Sequence, residues 1–126
     1  MTDPAPSSAE PRVVHLGQGI AERSDWGTIE WLANRRLTPG AGLTFGNVRL
    51  EPGASNPRHL HPNCHELLFV LEGAIDHELD GVTVRLEAGD LLHIPIGAPH
   101  QAHNRDDRPC VVVVTYSTED RQTLPA

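Results

Sequence analysis

The feature that most constrains the fold is a series of short apolar segments after Leu43, which turn residues interrupt about every eight to twelve positions. Such a series predicts an all-β domain, either a sandwich or a barrel. The 11 glycines and 11 prolines fit a turn-rich chain of this kind. The predicted strands are LTFGNVRL (43–50), RHLH (58–61), ELLFVLEG (66–73), AIDHELDG (74–81), VTVRLEAGD (82–90), LLHIP (91–95), HQAHN (100–104) and CVVVVTY (110–116).

The 126 residues are the length of one domain, which we predict to span 12–120. Residues 1–11 are rich in Pro, Ala and Ser and predict a disordered tail, and 121–126 are expected to form a C-terminal tail. The segment RVVHL (12–16) favours a short strand. The segment 24–37 fits either a short helix or a strand, and its surroundings favour the strand.

Two predicted strands are apolar on both faces, namely ELLFVL (66–71) and VVVV (111–114). A strand that is buried on one face only should alternate apolar and polar residues. A chain of this length has little to spare for a second covering layer. We therefore expect a symmetric homodimer.

Charge and composition exclude several classes of protein. The net charge of −7 argues against nucleic acid and anionic membranes as partners. There is no apolar run long enough for a membrane span and no secretory signal at the start, so we expect a cytoplasmic protein. All ten basic residues are arginines, which excludes a lysine Schiff base and a Walker-type phosphate loop. Two cysteines, Cys64 and Cys110, make no disulfide framework.

Histidines are the residues of this chain that most clearly suggest chemistry, and three of them lie within HLHPNCHE (59–66). His59 and His61 lie at i and i+2, so they leave a strand on the same face. A turn follows, and an adjacent strand can bring Glu66 beside them, while His100 opens a later strand. Four such ligands leave one or two open positions on a six-coordinate ion, as a catalytic metal requires.

The sequence contains two spaced motifs, which fifteen residues separate. The first consists of Gly53, His59, His61, Glu66 and Gly73, and the second of Gly89, Pro95, Gly97, His100 and Asn104. Together they resemble the two motifs of the cupin family, and the resemblance extends over about residues 43 to 116.

The resemblance implies a cupin-type jelly-roll β-barrel of two antiparallel sheets, which is usually dimeric. It also implies that His59, His61, Glu66 and His100 are the metal ligands, and it does not identify a substrate. His65 is the alternative to Glu66, because a bulge would exchange the two side chains and give a four-histidine site. A resemblance to polyketide-cyclase-like cupins implies this four-histidine alternative. Glu66 is favoured because its distance to Gly73 fits the motif.

Other residues near the motifs carry weaker signals. His77, His93 and His103 are expected at the surface, at an interface or in support of the ligands. Arg49 and Arg58 flank the site, where an arginine can hold a substrate carboxylate, although solvated arginines are commoner. Cys64 is interpreted as a partly buried thiol rather than as a nucleophile or ligand.

Three functions compete for a metal-dependent cupin that acts on a small organic molecule. The first is a dioxygenase-type oxidoreductase with Fe(II) or Mn(II), which suit three imidazoles and one carboxylate. The second is a non-redox isomerase, lyase or polyketide-cyclase-like enzyme, in which Zn(II) or Ni(II) are alternatives and Glu66, or a neighbouring histidine, is the catalytic proton shuttle. The third is a binding module without catalysis. Oxygen chemistry is favoured, and a loss of activity in the absence of oxygen would distinguish it from the non-redox reaction.

Overall fold

A computed structural model describes residues 11–126, which form eleven strands. Their bounds are β1 Ile20–Ser24, β2 Gly27–Ala33, β3 Thr44–Leu50, β4 His59–Leu60, β5 Glu66–Glu72, β6 Ala74–Leu79, β7 Val82–Glu87, β8 Leu91–Ile94, β9 His100–His103, β10 Cys110–Tyr116 and β11 Leu124–Pro125. No helix in this part of the chain is long and apolar enough to cross a membrane.

The strands form two sheets in which all neighbours are antiparallel. The six-stranded sheet has the order β1-β2-β3-β10-β5-β8, and the five-stranded sheet has the order β11-β4-β9-β6-β7. Consecutive strands such as β3, β4 and β5 alternate between the sheets, as in a jelly roll. The predicted all-β, cupin-type fold of two antiparallel sheets is therefore confirmed.

The core lies between the two sheets and is supplied by alternate residues of each strand. In β10, Cys110, Val112, Val114 and Tyr116 are buried, while the residues between them are only half-buried. The same alternation in β5 and β6 buries further apolar side chains against this strand.

The outer face of the six-stranded sheet is apolar and accessible in the single chain. Leu67 of β5 is 39% exposed and Leu91 of β8 is 56% exposed, and the register places both beside outward residues of the neighbouring strand. Both faces of this sheet thus carry apolar side chains, as the sequence of β5 indicates. The homodimer that would cover the outer face stays a prediction.

Near the N-terminus, the strand predicted over 12–16 is wrong. His15 instead accepts a backbone hydrogen bond from Gln18 in a turn, with Gly17 at a φ of 93°, and the first strand begins at Ile20. The strand interpretation of 24–37 is confirmed by β2, which pairs with β1 and β3. The predicted N-terminal tail lies, except for Pro11, outside the described residues.

The C-terminal residues 121–126 were expected as a tail, and this expectation is wrong. Leu124 and Pro125 form β11, which pairs with β4 at the edge of the five-stranded sheet. The backbone N–H of Ala126 also donates to the carbonyl of Arg58 at 3.2 Å. Without β11, one edge of the short strand β4 would be unpaired, and pairing with Leu124 and Pro125 gives the backbone groups on that edge hydrogen-bond partners. The rest of the predicted domain boundary stays a prediction.

Candidate metal centre

Three histidines converge at one end of the space between the sheets. His59 and His100 are register partners on β4 and β9, and His61 follows β4 by one residue. One ring nitrogen from each of the three lies within 4.8 Å of the other two. The i, i+2 spacing in β4 and the pairing with β9 therefore place these side chains as the sequence predicts.

Glu66 reaches the same point from the opposite sheet, at the first position of β5. Its Oε1 lies 3.3 Å from Nε2 of His61 and 3.2 Å from Nε2 of His100. The side chain is 5% exposed. The structure thus brings together all four residues that the motifs mark as ligands.

Backbone carbonyls fix the orientation of all three imidazoles. Nδ1 of His59 lies 2.7 Å from the carbonyl of Pro57, Nδ1 of His61 lies 2.9 Å from that of Gln122, and Nδ1 of His100 lies 2.9 Å from that of Ala98. A carbonyl oxygen only accepts, so each Nδ1 must carry the proton and donate it. In the neutral ring, Nε2 then carries a lone pair that is free to bind a metal.

Three buried polar atoms at this point make no hydrogen bond within residues 11–126. They are Nε2 of His61, Nε2 of His100 and Oε1 of Glu66. Buried polar atoms are almost always paired, and an orphaned one costs about 1–3 kcal/mol. A divalent cation would satisfy all three lone-pair donors at once, and neutral imidazoles with a carboxylate suit Fe(II), Mn(II) or Zn(II). The donor set therefore fits a bound transition metal.

The protonation states agree with a ligand role. Burial raises the pKa of Glu66, but hydrogen bonds and positive charge from the imidazoles of His100 and His61, when these carry a proton on Nε2, lower the pKa to about 2. Burial, together with repulsion from His100, lowers the pKa of His59 to about 4. Near neutral pH the site thus offers an ionised carboxylate and an uncharged His59, which are the forms that bind metals.

His65, the alternative to Glu66, lies on the other face of the sheet. Its Nδ1 is 3.0 Å from Nε2 of His93, and both residues are exposed. Adjacent residues of a strand point to opposite faces, and the register of β5 with β8 is regular from Glu66 onwards. The bulge that would exchange His65 with Glu66 is not formed.

His77 is a site residue that motif spacing does not mark. It is 1% exposed, its ring stacks on that of His100 at 5.7 Å between centroids, and its Nδ1 has no partner among the described residues. Burial and the neighbouring His100 lower the pKa of His77 to about 4. The alternation of β6 is the signal that could have found it, because Ile75 is also buried two positions earlier. His103 instead bonds to Ser55 outside the cluster.

A cavity of about 210 Å³ opens beside the four predicted ligands. Its walls are mostly apolar, with side chains such as Val48, Leu68 and Val112 from the six-stranded sheet and Ile75 and Ala102 from the five-stranded sheet. Tyr116 lines it next to Glu66, and burial, with the charge of Glu66, raises the pKa of Tyr116 well above its ordinary value. The phenol therefore stays protonated and can donate a hydrogen bond.

The arginine beside the cavity is neither of the two that flank the motifs. Arg49 pairs with Glu51 at 3.1 Å, and Arg58 is exposed, so neither lines the cavity. Arg121 does line it, together with Thr123 from the same C-terminal segment.

Cys64 is 1% exposed, and burial and the neighbouring Glu66 raise its pKa. A raised pKa keeps the thiol protonated, which agrees with a packing role. Cys110 is also free and buried.

Comparison with known proteins identifies the class. The model of the cupin domain family matches residues 46–116, which is more than half of the chain. The protein therefore belongs to the cupin family. The polyketide synthase protein CurC of Streptomyces cyaneus is 34% identical over 108 residues, which are 85% of this chain and 70% of CurC.

Two further proteins that the chain resembles are much longer than the chain itself. Quercetin 2,3-dioxygenase of Bacillus subtilis is 33% identical over 118 residues, which cover 90% of this chain but 34% of the dioxygenase. The oxalate decarboxylase of Lactobacillus farciminis, solved as a formate complex, superposes with a TM-score of 0.80 at 20% identity, over 88% of this chain and 34% of the decarboxylase. The chain also spans only about half the length of the germin-like proteins that it matches.

Proposed function

We propose that this cupin is a metal-dependent enzyme that acts on a small organic molecule in the cavity beside His59, His61, Glu66 and His100. The observation that carries the proposal is the convergence of three carbonyl-oriented imidazoles and one buried carboxylate at the end of an apolar cavity. A structural site would be closed on all sides, whereas this one borders a cavity that can admit a substrate.

Dioxygenase-type oxidation with Fe(II) or Mn(II) is the reaction that we favour. When bound, such an ion supplies open coordination positions and redox chemistry. The apolar walls exclude water from the bound molecule. Tyr116 offers it a hydrogen-bond donor, and the unpartnered Nδ1 of His77 offers it a second polar contact. The similarity to quercetin 2,3-dioxygenase supports this choice.

A non-redox isomerase, lyase or cyclase is the second candidate. The similarity to CurC and to the tetracenomycin polyketide synthase protein TcmJ of Streptomyces glaucescens favours it. In this reaction a Zn(II) or Ni(II) ion would act as a Lewis acid, and Glu66 would move a proton at the substrate.

Oxygen consumption tests the proposal. Iron-loaded and zinc-loaded protein would be incubated with a panel of flavonols, phenols and polyketide-like β-diketones, with an oxygen electrode and product analysis by mass spectrometry. We expect oxygen uptake with iron only, and none from His61→Ala. Turnover of a panel compound that continues without oxygen would replace the dioxygenase with the second candidate. Binding of panel compounds with no turnover under either metal would leave a binding module.

A homodimer and a cytoplasmic location complete the proposal. The apolar outer face of the six-stranded sheet, with Leu67 and Leu91 exposed, supports the dimer. The location rests on the sequence alone.

A further inference from the structure

The C-terminal segment places one cation on the wall of the cavity. The guanidinium carbon of Arg121 lies 4.6 Å from the ring centroid of Trp31 and 5.2 Å from that of Tyr116. One terminal nitrogen of Arg121 donates to Oγ1 of Thr123 at 2.6 Å. Two aromatic faces and a hydroxyl thus hold the head group in place beside the cavity.

Arg121 differs from the arginines that serve as ordinary surface partners. Four others, Arg35, Arg49, Arg85 and Arg105, each pair with at least one carboxylate. Among residues 11–126, no carboxylate lies within 4.0 Å of Arg121. A guanidinium has five N–H donors, and only one of them has a described acceptor.

The remaining groups around the cavity do not neutralise this charge. Glu66 is the only acidic residue among those that line the cavity, and it lies at the histidine end, where the proposed metal would take its charge. Arg121 lies near the same histidines, because Oγ1 of Thr123, which accepts from Arg121, is 3.3 Å from Nδ1 of His61. The rest of the cavity wall is mostly apolar. The cavity therefore combines mostly apolar walls with one cation, the guanidinium of Arg121, whose planar N–H groups can donate two hydrogen bonds side by side.

We infer that the cavity takes a small organic anion, and that Arg121 holds its carboxylate or an equivalent planar oxyanion. The inference rests on the proposed function, since it names the substrate class of the same site. A planar guanidinium matches two oxygens at once, which a lysine could not do. The cavity of about 210 Å³ is smaller than the roughly 300 Å³ at which drug-sized pockets begin, so the anion is small.

Calorimetric titration with benzoate tests the inference, with benzamide as the uncharged molecule of the same shape. Both would be titrated into wild type, Arg121→Gln and Arg49→Gln, each loaded with metal, and into metal-free wild type. A hydrogen bond to a charged group contributes about 1.5–3 kcal/mol, so we expect Arg121→Gln to weaken benzoate binding by about 10- to 100-fold. Benzamide should bind weakly to all three proteins, and Arg49→Gln should bind benzoate like wild type.

Thermal unfolding of each variant shows whether it is folded, and Arg121→Lys provides a second variant that keeps the charge without the fork. We expect its benzoate affinity to lie between those of wild type and Arg121→Gln. Equal affinity for benzoate and benzamide in wild type, equal benzoate affinity in wild type and Arg121→Gln, or no benzoate binding to metal-loaded wild type would overturn the inference.

Measuring the metal content of the same protein distinguishes a failure of this inference from a failure of the proposed function. Benzoate binding that depends on Arg121 in a protein that takes up no metal would keep the anion site and remove the metal-dependent enzyme. A protein that takes up metal but binds benzoate independently of Arg121 would keep the metal-dependent enzyme and remove the anion site.

Discussion

Asn104, the last position of the second motif, should be a stability residue rather than a catalytic one. Its Nδ2 donates to the carbonyls of Leu50 at 3.0 Å and Arg108 at 2.9 Å. Its Oδ1 accepts from the backbone N–H of Asp106 at 3.0 Å. The residue is 1% exposed, so this side chain joins the end of β3 to the loop before β10 in the absence of water.

The substitution Asn104→Ala removes three hydrogen bonds and leaves their backbone partners without a hydrogen bond in a buried place. At about 1 kcal/mol for each bond, we expect a loss of roughly 3 kcal/mol in the free energy of unfolding. For a domain of this size, 1 kcal/mol corresponds to about 3–6 °C, so Tm should fall by roughly 10–20 °C.

Urea and thermal unfolding, followed by circular dichroism, measure the loss. Asn34→Ala is the matched control, because Oδ1 of Asn34 accepts from the backbone N–H groups of Arg36 and Leu37 in an accessible turn. Water can replace that acceptor, so the control should lose only about 1 kcal/mol. A loss below 1 kcal/mol for Asn104→Ala, or one no larger than that of the control, would refute the reasoning.

Three further predictions concern the turns, the outer face and the cluster. Gly73→Ala should cost about 2 kcal/mol or more in unfolding free energy, because φ is 76° and a Cβ would lie 2.6 Å from the carbonyl oxygen of Pro109. Gly89→Ala, at a φ of 95° with open space around the Cβ, should cost only about 1 kcal/mol in the same urea titration. Leu67→Glu should convert the expected dimer to a monomer in light scattering, and an unchanged dimer would move the interface elsewhere. His65→Ala should keep the full metal content by elemental analysis, and a loss of metal would restore the four-histidine alternative.

The sequence predicts most of the barrel because its signals are local. Strand alternation and turn residues locate the strands from β2 to β10. The sequence does not predict the first and last strands, because IAERS in β1 has little apolar alternation and β11 is only two residues long. Both exist through pairing with neighbouring strands, namely β2 and β4, and such pairing is not visible in a local pattern.

The same distinction applies to the site. His59, His61, Glu66 and His100 are identifiable because fixed spacings within two motifs bring them together. His77 and Arg121 belong to no motif, and they approach the cavity only through the sheet topology and the C-terminal segment. The alternation of β6 gives a signal for His77. Nothing local gives one for Arg121, whose position depends on the rings of Trp31 and Tyr116.

Metal content tests the central claim most directly. Untagged protein would be purified without oxygen and measured by inductively coupled plasma mass spectrometry, as wild type, His61→Ala and His65→Ala. The cluster predicts about one transition-metal ion per chain in wild type and in His65→Ala, and close to none in His61→Ala. No bound metal in wild type, with none taken up when Fe(II), Mn(II) and Zn(II) are titrated, would contradict a metal-dependent cupin.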